Sequence, residues 1–195
     1  MKNKFTDSVY LVTEDTGLMR AGNSYYVRDS KGEKLGTLLE EIPGFFKKLL
    51  KFSPLKTVLG FRINFFDDED EIILVLQRPF TLFLSNINIL SSDGQRLGYF
   101  KQKFKLWSGK FDVFDDSNKF IASIKGDWRD WNFKIVDDKK KKIGEINKKW
   151  AGLVKEILTT DDTYLIKLEG SLPVDEKILI VSSAIIIDMV LKEYS

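Results

Sequence analysis

The chain has 195 residues, 43% of them hydrophobic and 31% charged, which suits one domain with a sizeable core. Its 31 Lys and Arg against 29 Asp and Glu leave a net charge of +2, so any binding to nucleic acid or anionic lipid must come from a local patch. With no Cys and no His it can form no disulfide, zinc–thiolate site, Ser-His-Asp triad or palmitoyl thioester.

Residues 1–12 carry no apolar core of the secretory type, so no signal peptide is expected. A first turn pattern follows at 27–36, VRDSKGEKLG: an apolar residue, an Asp/Ser-rich turn, polar residues, then an apolar and a small one. It recurs at 89–98, 113–122 and 135–144, with Gly36, Gly98, Ala122 and Gly144 as the small residues. A small residue at that point predicts a bulge or a close approach in a curved sheet.

Residues 41–52, EIPGFFKKLLKF, break the strand pattern. Ile42, Phe45, Phe46, Leu49 and Leu50 share one helical face, and Lys47, Lys48 and Lys51 the other. Such a helix either packs as a lid over one barrel end or lies in a membrane interface with its lysines toward phosphates. Phe61, Ile63 and Phe65 then alternate with polar residues, which predicts a strand. Asp67 to Glu71, DDEDE, reads as a solvated hairpin turn.

In YFKQKFKLW, Lys101, Lys103 and Lys105 fall on one strand face at about 7 Å intervals, with Phe104 and Leu106 opposite. The stripe is either a solvated, edge-protecting face or a seat for anionic headgroups. Trp131, Phe133 and Ile135 form an inward set, and Trp128 stands just before them. Lys139 to Lys142 mark a hairpin tip, and Tyr164, Ile166 and Leu168 share a face around Lys167.

Residues 178–191 read ILIVSSAIIIDMVL, with Asp188 the one charge. Fourteen helical residues span roughly 21 Å, against roughly 30 Å of bilayer hydrocarbon. The predicted helix, about 174–193, is therefore expected inside the sheet, with Asp188 held by backbone or a lysine near its exit. About twelve short strands are expected in all, with no linker, hence one domain over 1–195.

GEINKKWAGLVKEILTTDDTY (144–164), with the IIID of 185–188, resembles the C-terminal half of the phospholipid scramblase family. The matching positions are Gly144, Ile146, Lys148 or Lys149, Trp150, Gly152 and Lys155-Glu156. Arg78-Pro79 resembles the family's Arg-Pro dipeptide, and 25–36 its opening hairpin, so the resemblance covers about 20–195. It implies a mainly β, closed, roughly twelve-stranded antiparallel barrel of the Tubby C-terminal type around a hydrophobic C-terminal helix. The family's twelve-residue calcium motif falls on Thr160 to Ser171, where both end carboxylates are lost and only Asp161 and Asp162 remain. Calcium wants six to eight oxygens, so no calcium or other cofactor is expected.

Two functions follow. One is membrane-associated phospholipid binding, or movement of lipid between leaflets. The other is a soluble Tubby-like scaffold that recognises anionic headgroups or a protein, without transport. The candidate contacts are Lys101, Lys103, Lys105, Lys47, Lys48, Lys51, Phe45 and Phe46. No catalysis and no nucleic acid are expected of a monomer that is cytoplasmic or peripheral at a membrane.

Overall fold

A computed structural model describes residues 4–15, 22–41, 60–80, 86–103, 109–127, 129–148 and 163–192. Twelve strands run through them. They are β1 (Val9–Glu14), β2 (Ser24–Arg28), β3 (Lys34–Glu40), β4 (Phe61–Phe66), β5 (Ile72–Arg78) and β6 (Asn86–Ser91), followed by β7 (Arg96–Lys103), β8 (Gly109–Asp115), β9 (Phe120–Asp127), β10 (Asn132–Val136), β11 (Lys142–Asn147) and β12 (Thr163–Leu168). A helix, α1 (Val174–Lys192), closes the described chain. Each strand pairs antiparallel with its neighbours in sequence, and β1 pairs with β12 to shut the barrel. Closure leaves no strand edge to template pairing with another chain.

The hairpins share one construction. Asp29, Asp67, Ser91, Asp115 and Asp137 each accept a backbone bond from the residue three later. That residue has a left-handed backbone in every case: Gly32 (φ 84°), Asp70 (58°), Gly94 (84°), Asn118 (66°) and Lys140 (65°). This is a type I turn followed by a left-handed residue, and the register slips beside each one. The four Asp side chains reinforce it by accepting the amide hydrogen of the residue four later. The sequence pattern marks four of these turns. The fifth, at Asp67–Glu71, has the same geometry, but Leu74 stands where the others carry Gly or Ala.

Alternation sorts the strand residues. Phe61, Ile63 and Phe65 point inward, as do Phe133, Ile135, Tyr164, Ile166 and Leu168, and all are buried. Trp131 departs from its expected place. It precedes β10 with φ 49° and is half-buried, packed against the core from its margin with its ring stacked on Tyr164, 4.4 Å between centroids.

Every residue of α1 from Lys177 to Val190 is buried. The helix therefore fills the lumen and has no solvent face, which accounts for its lack of amphipathic patterning. Among the described residues no helix is long and apolar enough to cross a membrane. Gly98 shows how closely wall and helix approach: a Cβ there would sit 2.5 Å from the Phe114 carbonyl oxygen and 2.8 Å from the Leu179 side chain. Lys177, inside the wall, donates to the carbonyl oxygens of Thr6 and Asp7 at 2.7 and 2.8 Å, which ties the first turn of α1 to the chain entering β1.

Candidate functional site

The up-and-down path makes the two barrel ends unlike. The five tight turns and the start of α1 lie at one end. At the other rim lie the C-terminal end of α1 and the strand termini that lead into residues 16–21, 42–59, 81–85, 104–108 and 149–162. The turn end is acidic. A cleft of about 340 Å³ there is lined by Asp115, Asp116, Asp175 and Glu176, with Arg96 the one basic side chain in its wall. Such a lining repels anions.

At the opposite rim Asp188 is buried yet fully engaged. Its carboxylate accepts hydrogen bonds from the hydroxyls of Tyr25 (2.7 Å) and Tyr164 (2.6 Å) and pairs with Lys192 at 2.8 Å. Lys192 also pairs with Glu14 on β1. The i,i+4 spacing brings Asp188 and Lys192 together on one side of the helix, and β2 and β12 supply the two tyrosines. Burial pushes the Tyr25 phenol well above its ordinary range, and the neighbouring Asp188 charge adds to this. Burial opposes the Lys192 ammonium, but Asp188 and Glu14 outweigh it and hold it above the usual lysine range. Trp131 stacks on Tyr164, and the Lys148 ammonium lies 5.8 Å from both ring centroids. Asp188, Tyr25, Tyr164 and Lys192 satisfy one another and, with Glu14, fasten the end of α1 to three strands, so the cluster is built as a clasp rather than as a reactive centre.

The exposed lysines of β7 have a different setting. Lys101 and Lys103 project outward from the wall while Phe100, just before them, points in. On the neighbouring strand Asp112 is nearly covered. It pairs with Lys103 at 2.5 Å and Lys110 at 3.7 Å and accepts the Ser123 hydroxyl at 2.7 Å. Burial alone would raise this carboxyl, but the bonds from Lys103 and Ser123 and the Lys110 charge outweigh it and hold it below the usual carboxylate range.

The remaining sequence candidates, Phe45, Phe46, Lys47, Lys48, Lys51, Lys105, Asp161 and Asp162, lie outside the described residues, as do Phe104, Leu106, Trp128 and Trp150. Half of the degenerate calcium window is strand: residues 163–168 are β12. An extended strand sends alternate side chains to opposite faces. The lysine expected beside Asp188 is Lys192; sequence reading missed Tyr25, Tyr164 and Glu14 around it. Alternation puts the tyrosines inward, but only the barrel register brings β2 and β12 to the same helix end.

The comparisons bear on this geometry. A solved crystal structure of an Arabidopsis thaliana protein superimposes with a TM-score of 0.57 over 95% of this chain and 93% of its own, at 14% identity. That likeness supports the Tubby-like barrel and nothing finer. A phospholipid scramblase family protein of Schizosaccharomyces pombe is 24% identical over 76% of this chain and 41% of its own length. Phospholipid scramblase 2 of Bos taurus is 24% identical over 88% of this chain and 61% of its own. Altered inheritance rate of mitochondria protein 25 of Saccharomyces cerevisiae is 20% identical over 76% and 52%. The chain thus spans between 41% and 61% of the length of these relatives. The Scramblase family model matches residues 16–194, nearly the whole barrel and its central helix, and on that match the chain belongs to the scramblase family.

Proposed function

We propose that the chain acts at the surface of an anionic membrane, binding phospholipid headgroups from outside its barrel and without catalysis. One observation carries this reading: the lumen is filled by α1, buried from Lys177 to Val190, so lipid has no room inside and must be met by the outer wall. The relatives named phospholipid scramblases point to the same ligand class. Any movement of lipid between leaflets would proceed along the outer surface or with help from further partners, not through the barrel.

On this reading Lys101 and Lys103 are headgroup contacts on the wall. Lys105 continues their stripe in sequence, and Phe45, Phe46, Lys47, Lys48 and Lys51 supply a mixed apolar and cationic segment suited to an interface. The binding needs no calcium on this reading, since the motif has lost its end carboxylates and half of its window is strand. A chain free of Cys suits the reducing, cytoplasmic side of a membrane.

Flotation with neutral and anionic liposomes tests the proposal. Binding to anionic vesicles alone, lost at high salt, is the expected result. Absence from both vesicle fractions at low salt would overturn it, and capture of a protein partner instead would favour the scaffold role.

A further inference from the structure

We propose that a lysine row crossing β7 to β10 on the outer wall is the surface that lies against the anionic bilayer, with Lys125 and Lys134 as its principal contacts. This rests on the membrane-surface reading above and assigns it a face.

The row follows from register. Lys103 pairs with Lys110, Lys110 with Lys125, and Lys125 with Lys134. Four lysines from four adjacent strands thus stand side by side on the outside of the barrel, spanning about 15 Å at about 5 Å per strand. Beyond Lys134 the line continues through Glu145 to Lys167. Lys101 stands one step along β7 from Lys103 on the same face.

Such an arrangement is unfavourable for the fold itself. Like charges directly opposite on paired strands destabilise a sheet, and here three such pairs follow in succession. Composition does not force them, because the chain holds 29 acidic residues against 31 basic ones. The acidic groups are gathered elsewhere, in the turns and the cleft at the α1 start. The separation leaves one flank of the wall cationic.

Asp112 refines the row. It draws Lys103 and Lys110 onto itself, so that one carboxylate serves two of the four lysines. Among the described residues no carboxylate lies within ion-pair distance of Lys125, Lys134 or Lys101. The uncompensated charge is therefore centred on β9 and β10, two and three strands away from the β7 stripe that the sequence marks. All four members are lysines. Hydrated point charges suit a diffuse anionic plane, whereas base and phosphodiester recognition favours the arginine fork. The convex wall also offers a broad face to a plane and no groove for a duplex.

The test is binding to phosphatidylcholine vesicles that contain about one-third phosphatidylserine, at low salt. The Lys125→Gln/Lys134→Gln variant is compared with a Lys139→Gln/Lys140→Gln control at the hairpin tip of the acidic end, which changes net charge equally. At about 5-fold per lysine, the wall variant should bind roughly 30-fold more weakly. The control should stay within about two-fold of the parent. The wall variant should melt no lower than the parent, since it relieves like-charge pairs. Asp112→Asn should bind several-fold more tightly by releasing Lys103 and Lys110. A parent that binds while the wall variant binds equally well, or while the control loses as much, overturns the wall assignment and leaves the membrane reading standing. A parent that ignores anionic vesicles overturns both. Tighter binding to single-stranded RNA than to vesicles, abolished in the wall variant, would also overturn the proposal.

Discussion

Asp188 has three partners, and each makes a separate contribution. Asp188→Ala would strand two buried tyrosine hydroxyls and the Lys192 ammonium, and should lower unfolding free energy by about 3 kcal/mol, moderated because Lys192 reaches solvent. Tyr25→Phe removes one charge-assisted bond and should cost about 2 kcal/mol; chemical denaturation measures both. The pH limits follow from the shifted groups. Tyr10 and Tyr25 have phenols raised above their ordinary range, mainly by burial, so their neutral forms stabilise the fold below about pH 10 and that contribution is lost as pH rises further. Lys192, also raised, adds to the same alkaline limb. Asp112 is lowered, so its contribution is present above the usual carboxylate range and disappears as pH falls through its folded value. Melting curves should therefore show an acid limb that flattens in Asp112→Asn and an alkaline limb that flattens in Tyr25→Phe. Asp188 is legible in sequence as the one charge in an apolar helix. Its tyrosine partners are not, because nothing local ties residues 25 and 164 to residue 188. The same holds for Lys125 and Lys134. Each is visibly outward beside Ile124, Phe133 and Ile135, but their alignment with Lys103 is a property of register.

Among the elements, the hairpins were the most readable, because their geometry is local. An Asp that accepts its own turn's amides and a left-handed residue three positions on are both written in a five-residue window. The turn at Asp67–Glu71 reads as a hairpin by its charge run but stands outside the repeated pattern, because Leu74 replaces the small residue. Gly98 marks where element meets element. Gly98→Val would drive a branched side chain into the Phe114 carbonyl and Leu179, and should destabilise the barrel by about 2 kcal/mol, read by thermal unfolding. By contrast Gly94→Ala, with open space around it, should lose only the smaller penalty of its left-handed backbone, about 1 kcal/mol. The central helix was legible as a buried element for a simple reason. It is apolar on every side yet interrupted by Asp188 and bounded by charges, a combination that suits a protein interior better than a bilayer.

At the scale of the whole molecule, closure ties every strand to two neighbours, and α1 fills the lumen they enclose. We propose that residues 1–195 unfold as one unit, so circular dichroism and tryptophan fluorescence should report a single coincident transition. Calcium at millimolar concentration should leave that transition in place, since a ligand that does not bind the folded state cannot stabilise it. Charge is divided across the barrel, acidic at the tight turns and basic along the flank of β7 to β10, which gives a nearly neutral chain an orientation toward an anionic surface. Family membership was readable from residues 144–188, but the lysine row proposed to meet lipid was not, because it exists only once the strands are in register. The most direct test is amide hydrogen exchange of the protein free and bound to anionic vesicles. The account predicts that α1 keeps its full protection in both states while exchange slows along β7 to β10. Loss of protection in α1 on binding would mean that the helix leaves the barrel to enter the membrane, and would contradict the account.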